Sequence, residues 1–149
     1  MMEKHLYKAP PFLLQKMQAL CSMLLQDKKK YETVGAGIAD QQFRRTILTL
    51  AQESNQYATE LLSQIETLGG MDQQTAPVNQ DTAGPGAFAN EEDILSFCQL
   101  NEKKMVSAYR DILNESFLYE GLRKMIRYQL NGILCSFTQL KLLQSLKFQ

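Results

Sequence analysis

The chain has 149 residues with 16 basic and 16 acidic side chains, which gives a formal net charge of +0 at pH 7. A balanced charge creates no overall field that attracts nucleic acid or an anionic membrane surface, so we expect neither as a partner. The length is sufficient for one domain, residues 1–149, that folds without a metal ion or a disulfide.

The cysteines and the hydropathy indicate a cytoplasmic protein. Cys21, Cys98 and Cys135 are widely spaced among apolar residues. Their odd number and spacing favour reduced thiols over disulfides or a zinc site. No apolar run reaches the ~18 residues of a membrane span, and polar residues interrupt the stretch after Pro11 too soon for a signal peptide.

The first predicted helix covers residues 11–37. Pro11 suits a first helical position because its missing N–H group has no helical partner there. Beyond it, apolar or aromatic residues recur at alternating steps of four and three, which is typical of a helix with one buried face. Asp27 is the charged exception on that face, and Gly35 and Gly37 weaken the helix at its end.

The second predicted helix covers residues 41–68. Asp40 is a suitable N-cap, so the connection to the first helix is short. The same spacing defines a buried face, on which Ser54 is the polar exception. The pair Gly69-Gly70 supplies a left-handed end to the helix.

Residues 69–89 predict a long loop, because they contain glycine, proline and polar residues with no apolar period. About twenty extended residues reach ~65 Å, whereas a helix of ~27 residues is only ~40 Å long. The loop is therefore long enough to cross the whole length of a bundle.

The third and fourth helices are predicted over residues 91–114 and 117–146. Asn90 is a suitable N-cap, and acidic residues follow it in the first turn. The polar exceptions on the buried faces of these two helices are Asn101 and Gln129. Two hairpins joined by one long crossover are the connectivity of ferritin-like proteins. We therefore predict an all-α, antiparallel four-helix bundle of the ferritin-like kind.

The polar exceptions lie near the middle of their helices, so helices packed side by side bring them to one level. Buried polar groups cost several kcal/mol unless they bond to one another, to water or to a ligand. This layer therefore predicts hydrogen bonds that fix the register of the helices, a metal site, or a small-molecule pocket beside the tyrosines. The candidate residues are Asp27, Tyr31, Glu53, Ser54, Tyr57, Asn101, Glu102, Tyr109 and Gln129.

The metal hypothesis is limited by the available ligands. Di-iron bundles use a Glu from each of two helices and a Glu-x-x-His motif from each of the other two. The single histidine, His5, precedes the first helix. A metal would therefore need a histidine-free site, for which hard oxygen ligands favour manganese or magnesium. The candidate ligands are Asp27 or Glu32 together with Glu53 and Glu102.

Several short segments carry a resemblance to a known family. They are Leu50-Ala51-Gln52-Glu53, Tyr57-Ala58-Thr59-Glu60-Leu61, Leu68-Gly69-Gly70 before a long loop, and Asn101-Glu102 with Tyr109 downstream. The chain resembles the ferritin-like superfamily, and within it a small bacterial branch of unknown function with some members associated with stress response. The resemblance covers nearly the whole chain, about residues 13–143.

The resemblance implies metal-ligand positions, and the chain departs from several of them. Glu53 and Glu102 occupy the positions of ligand glutamates, whereas Gln56 stands where the histidine of the motif is implied. Gly132 stands at an implied acidic position, and Phe137 lies near a position where histidine is implied. These departures argue against ferroxidase, oxygenase and iron-storage activities.

The sequence thus predicts a non-catalytic bundle without a cofactor that acts through protein contacts, as a homo-oligomer or with another protein. The alternative is a metal-binding oxidoreductase with iron or manganese in a histidine-free carboxylate site. Apolar residues off the buried faces favour association. They are Leu14, Leu25, Leu62, Phe117 and Leu118.

Overall fold

A computed structural model describes residues 9–69, 88, 90–116 and 118–147. These residues contain no β-strand and form the helices α1 (Pro11–Ala36), α2 (Gln41–Thr67), α3 (Glu91–Leu113) and α4 (Glu120–Lys147). The prediction of an all-α protein with four helices is confirmed. None of these helices is long and apolar enough to cross a membrane. His5 and the predicted loop, apart from Gly69 and Phe88, lie outside the described residues.

The helix ends follow local hydrogen-bonding rules. The Asp40 carboxylate accepts a hydrogen bond from the backbone N–H of Phe43 at 2.9 Å, which caps α2. The Asn90 side chain accepts one from the N–H of Asp93 at 2.9 Å, which caps α3. Gly69 adopts a φ of 101° just after α2, a conformation that glycine reaches without steric cost.

The junction between α3 and α4 differs from the sequence prediction, because α4 begins at Glu120 rather than at residue 117. The Arg123 guanidinium donates hydrogen bonds to the backbone oxygens of Leu113 at 2.9 Å and of Glu115 at 3.2 Å. Carbonyl groups at the end of a helix have no partner within that helix. Arg123 satisfies them here and fastens the start of α4 to the end of α3.

Each helix packs against two others. α1 contacts α2 and α3, and α4 contacts the same two helices. Gly35 permits the close approach of α1 and α2, since a Cβ atom at this position would lie 2.7 Å from Cδ2 of Leu48. One continuous apolar core lies between the helices, and the polar exceptions of the sequence lie within it.

The exposed apolar residues are largely not those that the sequence predicts. Leu118 is buried, Leu14 and Leu25 pack against the core, and Phe117 lies outside the described residues. The buried faces are wider than a strict seam and absorb these side chains. The large exposed apolar residues of the described part are Phe12 and Leu62 at 43%, Leu100, Tyr128 and Leu142 at 61%, and Leu146 at 70%.

Candidate functional site

Four buried polar residues, one from each helix, lie inside the described part of the bundle. They are Asp27, Ser54, Asn101 and Gln129, with exposed fractions of 6%, 7%, 7% and 0%. Each is the polar exception that the sequence places on the buried face of its helix. The hydrogen bonds of Asp27, Asn101 and Gln129, however, form two clusters rather than one continuous layer, and Ser54 lines the cavity described below.

The α1–α3 cluster consists of Asp27, Tyr31 and Asn101. The Asn101 side-chain amide donates a hydrogen bond to the Tyr31 hydroxyl at 2.8 Å, and the Asn101 side chain also bonds to Asp27. Burial raises the pKa of Asp27 from 3.8 to about 6, although Asn101 and the charges of Lys30 and Lys104 oppose this shift. The cluster therefore contains a carboxyl group that titrates near neutral pH.

The α2–α4 cluster consists of Glu53, Tyr57, Glu60 and Gln129, together with Tyr109 of α3. Gln129 donates hydrogen bonds to the Glu60 carboxylate at 2.9 Å and to the backbone oxygen of Tyr57 at 3.3 Å. The Tyr109 hydroxyl donates to the Gln129 side-chain oxygen at 2.7 Å. Both N–H bonds and the oxygen of the buried amide are thus in use.

Sequence reasoning missed Glu60 as a member of the site. Glu53, Tyr57 and Glu60 are separated by steps of four and three, so they lie on the same side of α2. That spacing was the signal that could have added Glu60, because it places the side chain beside two residues already selected.

Gly132 makes room for the Tyr57 hydroxyl. This hydroxyl donates a hydrogen bond to the Glu53 carboxylate at 3.4 Å. A Cβ atom at Gly132 would lie 2.0 Å from the hydroxyl oxygen, a distance that no side chain tolerates. At the position where the resemblance implies an acidic residue, any larger side chain would therefore have to displace Tyr57.

Glu53 is incompletely partnered. Ser136 and Tyr57 hydrogen bond to its carboxylate, yet Oε1 is buried and has no hydrogen-bond partner among the described residues. Burial raises the pKa of Glu53, against the opposing effect of these two hydroxyl groups. An unpartnered buried carboxylate oxygen is costly and requires a proton, a water molecule or a cation.

A small cavity lies between the two clusters. Asp27 and Tyr31 line it from α1, and Glu53 and Ser54 line it from α2. Its volume of about 10 Å³ is roughly the space that one water molecule needs. The apolar residues that line it are Leu24, Leu50, Met105, Ile133 and Phe137.

Glu102 and Glu32 do not line this cavity. The Glu102 carboxylate lies 3.2 Å from the Lys141 ammonium group, between α3 and α4. Glu32 is exposed and lies 3.7 Å from Lys28 one turn earlier on α1. Glu102 differs from the predicted layer because it follows Asn101 directly, and consecutive helical residues point about 100° apart. Asn101 is buried in the core, whereas Glu102 lies at the edge between α3 and α4.

The residues of this site do not fit the two-metal centre that the resemblance implies. Within the described residues, no group of three or more His, Cys, Asp or Glu side chains is placed to hold a metal ion. Asp27 and Glu53 are the carboxylates that line the cavity, and its volume matches one water molecule. Two metal ions ~3.5–4 Å apart, with their four carboxylate ligands, need far more space.

No protein-family model, curated protein or solved structure matches the chain. The resemblance to the ferritin-like superfamily therefore stays a prediction.

Proposed function

We propose that this chain is a non-catalytic helical bundle of the ferritin-like kind that acts through contacts with other protein chains, including its own copies. In this proposal each helix runs antiparallel to the two helices that it contacts, so α1 and α4 point one way and α2 and α3 the other, and the long connection between α2 and α3 crosses the bundle. The role is structural or regulatory, and a link to stress response is what the resemblance adds.

Contacts between helices support these directions. The start of α1 meets the end of α3, because Lys16 hydrogen bonds to Asp111 at 3.2 Å. The start of α4 meets the end of α2, because the Tyr119 hydroxyl donates to Gln64 at 2.8 Å. Nearer the middle of α1, Tyr31 contacts Asn101, which lies earlier in α3 than Asp111 does. Nearer the middle of α4, Gln129 contacts Glu60, which lies earlier in α2 than Gln64 does.

The observation that carries the proposal is that the interior polar groups bond to one another. Gln129, Tyr109 and Glu60 form one connected set, and Asp27, Tyr31 and Asn101 form another. Side chains committed to each other in this way hold the helices in register. The interior space between them has about the volume of one water molecule.

The surface supports action through protein contacts. Leu142 and Leu146 of α4 and Leu100 of α3 expose more than half of their area to solvent. Leu142 and Leu146 lie one turn apart on the same side of α4, and neighbouring exposed apolar residues of this kind are typical of interaction sites. We therefore expect the bundle to associate when its concentration is raised.

The test combines metal analysis with sedimentation. Protein expressed without a tag in cells supplied with iron and manganese is analysed for metal and then titrated aerobically with Fe(II). We expect metal far below one equivalent, no iron oxidation, and a sedimentation coefficient that rises with protein concentration. Stoichiometric metal that disappears in a Glu53→Ala, Glu102→Ala double variant would contradict the proposal.

One observation favours the alternative of a carboxylate metal site. The buried Glu53 Oε1 has no hydrogen-bond partner among the described residues, and Asp27 lines the same cavity. A single cation there would depend on Glu53 and not on Glu102, whose carboxylate pairs with Lys141. Metal content that falls in Glu53→Gln and persists in Glu102→Gln would therefore establish the alternative.

A further inference from the structure

The small interior cavity is bordered by both polar clusters. Asp27 and Tyr31 of the α1–α3 cluster line it from α1, and Glu53 of the α2–α4 cluster lines it from α2, next to Ser54. Within the described residues, the hydrogen bonds of the two clusters remain separate. The occupant of this cavity therefore decides whether the clusters act as one unit or as two.

Two groups at the cavity have hydrogen-bonding capacity that no neighbour uses. Oε1 of Glu53 is buried and has no hydrogen-bond partner among the described residues. The Tyr31 hydroxyl accepts a hydrogen bond from the Asn101 amide at 2.8 Å, and this bond does not use the proton of the hydroxyl itself. An acceptor from α2 and a donor from α1 thus border the same space.

The size and the polarity of the cavity fit one water molecule. Its volume of about 10 Å³ is roughly the space that a single water needs. Buried waters make about three hydrogen bonds, mostly to polar groups that are otherwise unsatisfied. Asp27, Tyr31, Glu53 and Ser54 supply two carboxyl and two hydroxyl groups for this purpose. Water can accept from a hydroxyl and donate to a carboxylate at the same time.

A cation or a lone proton fits the cavity less well. Calcium and magnesium ions take six or more oxygen ligands, whereas the remaining residues that line the cavity are all apolar. The positive charges of Lys30 and Lys104 already act on the Asp27 carboxylate and would repel another cation. A proton on Glu53 would turn Oε1 into a donor, which again needs an acceptor.

We propose that this cavity binds one water molecule, which accepts a hydrogen bond from the Tyr31 hydroxyl and donates one to Oε1 of Glu53. Asp27 and Ser54 are its further partners. The Asn101–Tyr31 bond and the Glu53–Ser136 bond continue this link, so the water completes a network through all four helices. The inference goes beyond the proposed function, because it concerns how the interior is held together whether or not the chain associates.

A high-resolution crystal structure of the full chain tests the site directly. We expect one density peak within about 3.2 Å of both Oε1 of Glu53 and the Tyr31 hydroxyl oxygen. A peak surrounded by oxygen atoms at about 2.0–2.6 Å would be a metal ion, which would overturn the inference and support the metal alternative. A cavity without a peak would overturn the inference as well.

A double-mutant cycle tests in solution whether the water joins the clusters. Tyr31→Phe removes the donor, and Glu53→Met removes the acceptor while keeping a long side chain with a good helix propensity. The matched control is Glu66→Met, the same substitution at an exposed position of α2. The unfolding equilibrium constant is measured for each variant in urea.

We expect the effects of Tyr31→Phe and Glu53→Met on this constant to differ from the product of the single effects by at least about fivefold. Tyr31→Phe and Glu66→Met should multiply to within about twofold. Independent effects of Tyr31→Phe and Glu53→Met would show that the clusters are separate and overturn the proposed network. Neither experiment depends on association, so both can fail while the sedimentation test of the proposed function succeeds.

Discussion

Each of the two interior clusters holds a polar group inside the apolar core, but the chemistry of that group differs. In the α2–α4 cluster the central group is the amide of Gln129, which is 0% exposed and whose donors and acceptor are all in use. In the α1–α3 cluster the central group is the carboxyl of Asp27, which is 6% exposed and has a pKa raised by burial to about 6.

This difference separates two roles that a buried polar group can play. An amide with every hydrogen bond satisfied does not titrate, so its contribution to stability is the same at all moderate pH values. A buried carboxyl gains or loses a proton near neutrality, so its contribution depends on pH. The Gln129 amide is therefore expected to fix the packing of the bundle at any moderate pH, whereas the buried carboxyl groups of Asp27 and Glu53, whose pKa values burial raises, are expected to make its stability sensitive to protons.

The largest expected effect comes from removing the amide. Gln129→Leu keeps most of the side-chain volume but leaves the Tyr109 hydroxyl and the Glu60 carboxylate without this partner. Unsatisfied buried polar groups cost about 1–3 kcal/mol each, so we expect a loss of roughly 3 kcal/mol in the free energy of unfolding. Urea unfolding followed by circular dichroism measures it.

The matched control is Gln15→Leu, the same substitution at an exposed position of α1. It is expected to change stability by less than about 0.5 kcal/mol. Equal effects of the two substitutions would show that the hydrogen bonds of Gln129 contribute nothing beyond those of a surface glutamine, and the proposed structural role of the cluster would then be wrong.

The second prediction concerns pH and Asp27. Because its pKa is raised from 3.8 to about 6, the folded chain binds the proton more tightly than the unfolded chain does. The stability that this proton contributes is fully present below about pH 4 and is lost as the pH rises through about 6. The shift corresponds to about 3 kcal/mol at most. Asp27→Asn carries no titrating group, so its stability relative to the wild type should rise by up to this amount between pH 4 and 8.

Urea unfolding at several pH values measures this difference, and Glu102→Gln is the control. The Glu102 carboxylate pairs with Lys141, whose side chain is 54% exposed, and such surface pairs contribute less than about 1 kcal/mol. A difference between Asp27→Asn and wild type that is constant from pH 4 to 8 would mean that Asp27 is ionised normally, and that the contrast between the clusters is absent.

The sequence was sufficient to identify which polar residues are buried. Helical periodicity defines one face per helix, so Asp27 and Gln129 stand out as exceptions on faces that are otherwise apolar. Periodicity does not determine which helices become neighbours, however, and this decides the partners of each residue. Tyr31 therefore bonds to Asn101, whereas Tyr109 bonds to Gln129.

The sequence also does not determine the exact direction in which a side chain points around its helix. Glu102 adjoins a buried residue but lies at the edge between α3 and α4, because a single step rotates the side chain by about 100°. Gly132 is a further example, since nothing in the sequence indicates that a tyrosine from another helix occupies the space beside it.

The smallest expected effect concerns that space. Alanine is favoured over glycine inside a helix by about 1 kcal/mol, whereas forcing a group into a packed core costs about 1–3 kcal/mol. A Cβ atom at Gly132 would approach the Tyr57 hydroxyl oxygen to 2.0 Å, so the steric cost should exceed the gain. We expect Gly132→Ala to destabilise the chain by about 1 kcal/mol in urea unfolding.

The double variant identifies the cause. Tyr57→Phe removes the hydroxyl, and the next contacts of the added Cβ atom are the ring carbon Cζ at 3.1 Å and the Glu53 carboxylate at 3.4 Å. In that background Gly132→Ala should be neutral or stabilising by up to about 1 kcal/mol, because the helix propensity is then opposed only weakly. Equal destabilisation in both backgrounds would mean that Gly132 is needed for a reason other than the tyrosine. The α2–α4 cluster would then not depend on the fit between these two residues.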